Sequence, residues 1–245
     1  MSDALLAVED LEVRYGGARA LFGVSLSVAP GSVLAVLGAN GAGKSSLAGA
    51  IAGVVPPAAG HIRFAGRDIT KASSYRIARL GLAHVPEQRG IFPGLSVLDN
   101  VRLGLLHVLP RAEQPAAIER AFEAFPRLAD RRRQLAGTLS GGEQQMLSLA
   151  RVLAVPPKLL VADELSLGLA PLIVDLIFES LERTRGEGVS VLLIEQYVDR
   201  ALAFADEAVI LRRGRVGWHG AASDATEELL EEYLGGDRPA DFVRD

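Results

Sequence analysis

Residues 38–45 place three glycines, a lysine and a serine in the order G-x-x-x-x-G-K-S. Glycine at these points lets the backbone turn back and direct several N–H groups at one anion, which a Cβ would obstruct. Lys44 would reach the outer phosphates of a nucleotide, and the Ser45 hydroxyl would bind Mg²⁺. A β-prone run over 32–37 precedes the loop and a helical stretch over 45–52 follows it, so the pattern predicts a phosphate-binding loop.

Two acidic residues follow a second apolar, β-prone run, Leu159–Ala162. This is the expected second half of such a site, in which Asp163 would hold a metal ion, directly or through water. Glu164 would then polarise an attacking water. An apolar strand that ends in two acids is common by itself, and its pairing with Lys44 makes a catalytic interpretation the stronger one.

A third motif, Leu-Ser-Gly-Gly-Glu-Gln, begins at Leu139 and leads into a helical run over 146–154. Ser140 and the two glycines provide a hydroxyl and unobstructed N–H groups at a helix N-terminus, which favours anion binding without a lysine. At this point the sequence resembles the ATP-binding-cassette (ABC) ATPases, whose signature is this hexapeptide. The resemblance extends from the first strand to Gly236, with the elements in the family's order.

The resemblance implies an α/β fold of the P-loop NTPase, ABC-ATPase type. We expect a mixed sheet core, an N-terminal antiparallel β region and a helical subdomain inserted at roughly 95–154. One domain would span 1–236, and 237–245 would form a polar tail. ATP and Mg²⁺ are the implied cofactors. In this family two cassettes pack head to tail, so ATP on the phosphate loop of one is covered by the signature of the other.

The family pattern assigns a role to each matching position. The residues implied to contact ATP are Tyr15, Gly38, Asn40, Gly41, Ala42, Gly43, Lys44, Ser45 and Ser46. Those implied to contact the ATP of the partner are Ser140, Gly141, Gly142 and Glu143. The implied metal ligands are Ser45, Asp163 and Glu87, and the implied catalytic residues are Glu164, Gln196 and Glu87. Tyr15 would stack on adenine; the alternative is an aromatic of the core.

Three positions depart from the family pattern. Glu87 stands where most cassettes have a glutamine that contacts Mg²⁺, and Gln88 is the alternative for that role. Gln196 replaces the histidine that contacts the γ-phosphate, and it can donate a hydrogen bond but carries no charge. Leu165 stands where proline is usual, so we expect a less rigid loop.

The segments around these departures resemble one branch of the family, the second of the two unlike ATPase subunits of branched-chain amino-acid importers. The implied partners are membrane permease subunits, a second cassette (this chain or an unlike one) and, indirectly, an extracytoplasmic solute-binding protein. The implied location is cytoplasmic, peripheral on the inner face of the membrane. Urea, short amides and other amino acids remain alternative solutes. The alternative functions are a soluble ATP-dependent clamp and a cassette that binds ATP with little hydrolysis.

The other elements follow from shorter patterns. Strands are predicted over 5–13, 24–28, 61–64, 82–85 and 189–194, a helix over 171–185, and a hairpin from 209–211 and 215–218. Asp224 and Glu227 predict a capping box for a helix over 225–234. Ile118, Phe122, Phe125 and Leu128 recur at helical spacing and predict the core of the insert. The arginines at 127, 131, 132 and 133 are interpreted as a solvated face.

Composition excludes several classes of protein. The 245 residues include 49% hydrophobic and 23% charged residues, as in an ordinary globular protein. The absence of cysteine excludes disulfides, Cys-ligated zinc and a thiol nucleophile, and a net charge of −4 gives no general attraction to nucleic acid. The four histidines have no spacing typical of a metal site. No run of 18 apolar residues is present, so we expect no membrane span.

Overall fold

The computed structural model describes residues 4–106 and 108–234, which form two β-sheets and nine α-helices. These residues divide into two compact units. The first joins the chain up to His84 with Lys158–Glu164 and with the residues from Gly188 onward. The second joins Val85–Pro157 to Leu165–Glu187. The predicted tail at 237–245 lies outside the described residues.

An antiparallel sheet of four strands forms the N-terminal part of the first unit, in the order β2-β1-β4-β5. Its strands are β1 Leu6–Tyr15, β2 Ala18–Val28, β4 Ala59–Phe64 and β5 Arg67–Asp68. Buried and exposed residues alternate along much of β1 and β2, as expected for strands with one face against a core. β2 begins six residues earlier than the sequence predicts, because Ala18 already pairs with Tyr15 across a tight turn.

The second sheet of this unit has six strands in the order β10-β9-β3-β8-β7-β6. They are β3 Val33–Leu37, β6 Leu82–Val85, β7 Leu159–Asp163, β8 Ser190–Glu195, β9 Glu207–Arg212 and β10 Arg215–Ala221. β3, β7 and β8 are parallel and fully buried, which explains why they read as continuous apolar runs. Their carboxyl ends meet at one edge, the usual place for a ligand site in such a sheet.

Four helices complete the first unit: α1 Lys44–Ile51, α2 Ser74–Arg79, α8 Val198–Phe204 and α9 Glu227–Leu234. The capping box predicted from Asp224 is wrong. Ala222–Asp224 form a short 3₁₀ turn, and Thr226 caps α9 instead, with its Oγ1 accepting the N–H of Leu229 at 3.3 Å. The apolar core of the unit is shared by both sheets and by α1, which includes the buried residues Leu47 and Ile51.

The second unit is helical. Its helices are α3 Val97–Leu105, α4 Gln114–Ala124, α5 Pro126–Ala129, α6 Gly141–Leu153 and α7 Pro171–Gly186. The predicted insert at 95–154 lies inside this unit, which also includes α7. The four apolar residues expected to form its core, Ile118, Phe122, Phe125 and Leu128, are all buried. No helix in the described part of the chain combines the length and apolar character needed to cross a membrane.

Candidate nucleotide-binding site

The phosphate loop follows β3 and ends where α1 begins, as the sequence predicts. Gly41 and Gly43 adopt left-handed φ angles of 78° and 106°. A Cβ on Gly38 would lie 2.6 Å from the carbonyl oxygen of Leu211, and one on Gly43 would lie 2.6 Å from Cδ2 of Leu21. Glycine is therefore required by both conformation and space, and the loop leaves the N-terminus of α1 open to an anion.

Lys44, the first residue of α1, is buried in this loop with 4% of its surface exposed. Its Nζ donates to the carbonyl oxygen of Gly38 at 2.8 Å and to that of Ala39 at 3.3 Å. The same Nζ lies 3.1 Å from Oε1 of Glu164. A buried ion pair is tolerated only when its remaining hydrogen-bonding groups are satisfied, and these carbonyl groups provide that compensation.

Asp163 and Glu164 stand at the carboxyl end of β7, with 3% and 7% of their surfaces exposed. Glu164 has a left-handed φ of 50°, and its N–H donates to the carbonyl oxygen of Ile194 at 2.8 Å. A non-glycine residue in this conformation is strained by about 1–3 kcal/mol, which is typical of functional sites. Glu164 therefore combines a strained backbone with the side-chain contact to Lys44.

Gln196 and Asn40 extend the site along the same sheet edge. Gln196 lies just after β8, and its Nε2 donates to Oδ1 of Asn40, in the phosphate loop, at 2.6 Å. Tyr15, at the end of β1, is 53% exposed, so the alternative of a core aromatic is wrong. Among the other predicted contact residues, Ala42 is buried, Gly41 and Ser45 are exposed, and Ser46 is half-buried.

The signature segment lies in the second unit, where Ser140 is the N-cap of α6. Its Oγ accepts the N–H of Glu143 at 3.4 Å, and Oε2 of Glu143 accepts the N–H of Ser140 at 2.9 Å, which completes a capping box. Burial raises the pKa of Glu143, but hydrogen bonds from Ser140 and the charge of Arg131 outweigh it, so the pKa is lowered overall. Glu143 therefore stays ionised at neutral pH.

Each of the two glycines of the signature has a close side-chain neighbour. A Cβ on Gly142 would lie 2.7 Å from Cγ2 of Ile173, and one on Gly141 would lie 3.0 Å from Nη2 of Arg89. The first turn of α6 is thus packed on its sides while its N–H groups remain free of Cβ atoms. This geometry suits an anion at the end of the helix.

Residues 21–166, more than half of the chain, match the family described as ABC transporter. The chain belongs to the ABC transporter family. BraG of Pseudomonas aeruginosa, a high-affinity branched-chain amino acid transport ATP-binding protein, is 42% identical over 234 residues, which are 95% of this chain and all of BraG. LivF of Archaeoglobus fulgidus, a probable branched-chain amino acid transport ATP-binding protein, is 34% identical over 94% of this chain and 98% of LivF.

Solved structures agree with this family. The ATP-binding subunit of an ABC transporter has a TM-score of 0.82 and 28% identity, and the match covers 96% of this chain and 95% of that one. The expected fold class is confirmed: the cassette has a mixed sheet, an antiparallel sheet and a helical part. ATP binding and hydrolysis are the activities of this class of cassette.

The residues of the ABC cassette that could hold Mg²⁺ fit that ion. Ser45 presents an exposed hydroxyl at the first turn of α1, and Asp163 adds a carboxylate at the end of β7. Oxygen ligands of this kind are the ones that Mg²⁺ prefers, usually one or two carboxylates completed by phosphates and water. Within the described ranges no group of three or more His, Asp or Glu side chains could hold a metal by itself. Ser45 and Asp163 therefore suit a magnesium ion that binds together with a nucleotide.

The remaining predicted residues lie in the second unit of the cassette. Glu87 and Gln88 are both exposed, and the structure provides no contact that favours either one as the metal-facing residue. Leu165 is 1% exposed. Its side chain is therefore packed in the core, and the expectation of a less rigid loop stays a prediction. The arginines at 127, 131 and 133 are exposed, as predicted, whereas Arg132 is half-buried and lies 4.2 Å from the Phe122 ring.

Sequence reasoning did not identify Arg89 as a functional candidate. In the structure its guanidinium contacts the first turn of α6, and Nη1 donates to Oε1 of Gln144 at 2.7 Å. The only local signal of a turn in the sequence is Gly90. Arg89, the residue before it, also has a left-handed conformation, with a φ of 62°. A single sequence does not reveal which arginine will adopt such a conformation.

Proposed function

We propose that this protein is the ATP-hydrolysing subunit of an ABC importer for branched-chain amino acids. The observation that supports hydrolysis most strongly is the 3.1 Å contact between Lys44 and Glu164, which joins a phosphate grip to a candidate base inside one buried site. The solute class is supported by the 42% identity to BraG along the full length of that relative.

In the proposed reaction a water molecule attacks the γ-phosphorus of ATP in line with the bond to the β-phosphate oxygen. Glu164 accepts a proton from the water as the new P–O bond forms, and the old P–O bond breaks to release ADP and phosphate. Lys44 and the N–H groups of residues 38–45 stabilise the charge that develops on the phosphate oxygens. Gln196, aligned by Asn40, donates a hydrogen bond to the terminal phosphate.

Magnesium is part of the proposal. Ser45 and Asp163 would hold the ion, with Glu87 or Gln88 as a further contact, and bound Mg²⁺ would supply neutralisation of phosphate charge. Tyr15 is proposed to stack on adenine, because its exposed ring at the end of β1 leaves a face available. Tyr15, Asn40 and the phosphate loop all belong to the first unit.

The signature residues 140–143 are proposed to cover the ATP of a second cassette. They form a helix N-terminus that favours anion binding and has its own capping box. Because the segment contains no lysine, it suits one side of a phosphate site whose other side a second cassette provides. The second cassette is another copy of this chain or an unlike relative. The further proposed partners are membrane permeases and an extracytoplasmic solute-binding protein, with this subunit on the cytoplasmic face of the membrane.

Transport into proteoliposomes tests this function. The importer is assembled with its permeases and second cassette, ATP is enclosed, and binding protein with radiolabelled solute is added outside. We expect uptake of leucine, isoleucine and valine that stops in the Glu164→Gln variant and continues in Glu228→Gln, a matched change at an exposed carboxylate. Uptake of urea or an amide in their place would refute the solute class, and uptake without ATP would refute the proposed role.

A further inference from the structure

Arg89 adopts a conformation that arginine rarely takes. Its φ of 62° is left-handed, and it lies two residues after Glu87 in the segment 86–92, which follows β6. A side chain with a Cβ is strained there, and such strain persists only where the surroundings impose it. A backbone turn closes here, with the N–H of Arg89 donating to the carbonyl oxygen of Pro86 at 3.0 Å, and the Arg89 side chain adds contacts with α6.

The guanidinium of Arg89 lies against the first turn of α6. Nη1 donates to Oε1 of Gln144 at 2.7 Å, and Nη2 lies 3.0 Å from the position that a Cβ on Gly141 would take. A cation at a helix N-terminus opposes the helix dipole, so this contact does not exist to stabilise α6 as a helix. It fixes the position of the segment 86–92 relative to the signature.

A second arginine attaches the same segment to the other end of the same helix. Arg151, near the C-terminus of α6, donates through Nη1 to the carbonyl oxygen of Gly90. Its guanidinium also lies 5.1 Å from the centre of the Phe92 ring. The segment is therefore joined to α6 at both ends of that helix, as a packed and hydrogen-bonded body.

We propose that Arg89 is a positioning residue that makes Glu87 and the signature N-terminus respond together. This inference rests on the proposed function and takes Glu87, of the pair Glu87 and Gln88, as the residue that faces the nucleotide of its own cassette, while Ser140 faces that of the partner. Through Arg89, nucleotide contact at Glu87 sets the position of Ser140, and engagement of Ser140 in turn affects Glu87, because such coupling is reciprocal. The regulated property is the cooperativity of the two ATP sites.

A double-mutant cycle on ATP-driven cassette association tests the inference. The Glu164→Gln chain is used to prevent turnover, and its association with itself or with the unlike cassette is measured by analytical ultracentrifugation. Glu87→Ala and Ser140→Ala are made singly and together. With Arg89 present, we expect the association constant of the double variant to differ by at least about fivefold from the value that the two single effects, multiplied together, would give. In the Arg89→Ala background, we expect the two single effects to multiply without any such difference.

Further variants separate positioning from general damage. Arg89→Lys keeps the charge but loses the planar fork, so we expect the departure from independence to shrink without vanishing. Arg133→Ala, a matched change at an exposed arginine of the same unit, should leave it unchanged. ATP binding by the single chain should be unaltered in Arg89→Ala, since Lys44 is untouched, and circular dichroism confirms folding.

Two results would overturn the inference: independent effects when Arg89 is present, or a departure from independence that survives Arg89→Ala. Loss of ATP binding in Arg89→Ala would also overturn it, because Arg89 would then act at the nucleotide directly. A Glu164→Gln chain that never associates with any cassette in ATP would instead refute the proposed function itself. The two failures are therefore distinguishable.

Discussion

Replacing Glu164 by glutamine should produce two opposite effects on the handling of ATP. The carboxylate is the proposed base, so its loss should lower turnover by roughly 10²–10⁴-fold. The same carboxylate neutralises Lys44 in the absence of nucleotide, across a 3.1 Å contact in which both side chains are almost completely buried. Removing it leaves a buried cation that a triphosphate can neutralise, so ATP should bind more tightly.

The size of the second effect follows from the contacts that Lys44 keeps. Removing one partner of a buried ion pair costs about 3–5 kcal/mol when nothing replaces it. Here Lys44 still donates to the carbonyl oxygens of Gly38 and Ala39, and the glutamine amide oxygen remains an acceptor. We therefore expect about 1.4 kcal/mol of the loss to be recovered on nucleotide binding, which is a tenfold lower Kd for ATP.

Calorimetric titration of Mg-ATP into both chains measures this effect, with Ser140→Arg present in each so that cassette association cannot add to the apparent affinity. Glu228→Gln, at an exposed carboxylate, should change neither affinity nor turnover. Unchanged or weaker ATP binding in Glu164→Gln would show that the Lys44–Glu164 pair does not compete with nucleotide. Wild-type turnover in the same variant would refute Glu164 as the base.

Three further predictions concern the loop, the adenine contact and acid stability. Gly43→Ala should lower the free energy of unfolding by about 1–3 kcal/mol in urea titrations and abolish ATP binding. The reasons are the φ of 106° at Gly43 and the 2.6 Å distance from an added Cβ to Cδ2 of Leu21. Retained ATP binding would contradict the loop geometry. Tyr15→Ala should raise the Kd for ATP by about fivefold in fluorescence titrations, since a stacked ring contributes about 1 kcal/mol, and Tyr15→Phe should leave the Kd unchanged. An equal loss of ATP affinity in both variants would exclude stacking. Burial lowers the pKa of His84 from 6.5 to about 4, so the unfolded chain binds more protons in that window, and stability should be complete above pH 6.5 and fall toward pH 4 by about 3 kcal/mol. Urea titrations at pH 7, 6 and 5 should show this slope weakened in His84→Gln, and an unchanged slope would exclude His84 as its source.

The phosphate loop was predictable because its determinants are local. Gly41 and Gly43 need left-handed conformations, Lys44 starts a helix, and a buried parallel strand precedes them, so spacing and composition alone indicate the loop. The acidic pair was predictable for a similar reason, because parallel strands that end at one sheet edge bring their following residues together.

Contacts between distant segments were not predictable in this way. The Lys44–Glu164 pair, the Asn40–Gln196 hydrogen bond and the contact of Arg89 with Gln144 depend on side-chain packing between residues 55 to 156 positions apart. No periodicity in one sequence encodes which acceptor a long side chain will reach.

The starts of α9 and β2 were predicted wrongly because local contacts that hydrophobicity does not reveal determine where these elements begin. Asp224 and Glu227 have the spacing of a capping box, yet Thr226 caps α9 because the preceding residues close a 3₁₀ turn. The early start of β2 escaped a hydrophobicity pattern because its first residues include Arg19, which pairs with Glu12 on β1 and lies over the Phe22 ring. Cross-strand pairs of this kind stabilise polar strand ends that a count of apolar residues overlooks.

Residues 38–45, with Lys44 buried among them, are expected to bind the triphosphate of ATP. Calorimetric titration of Mg-ATP into the wild-type, Lys44→Ala and Lys71→Ala chains tests it most directly, with folding checked by circular dichroism. We predict one site per chain in the wild type and in Lys71→Ala, where an exposed lysine is lost, and at least about thirtyfold weaker binding in Lys44→Ala, the scale of a lost charge-assisted contact of about 2 kcal/mol. Equal affinity in all three chains would contradict the claim.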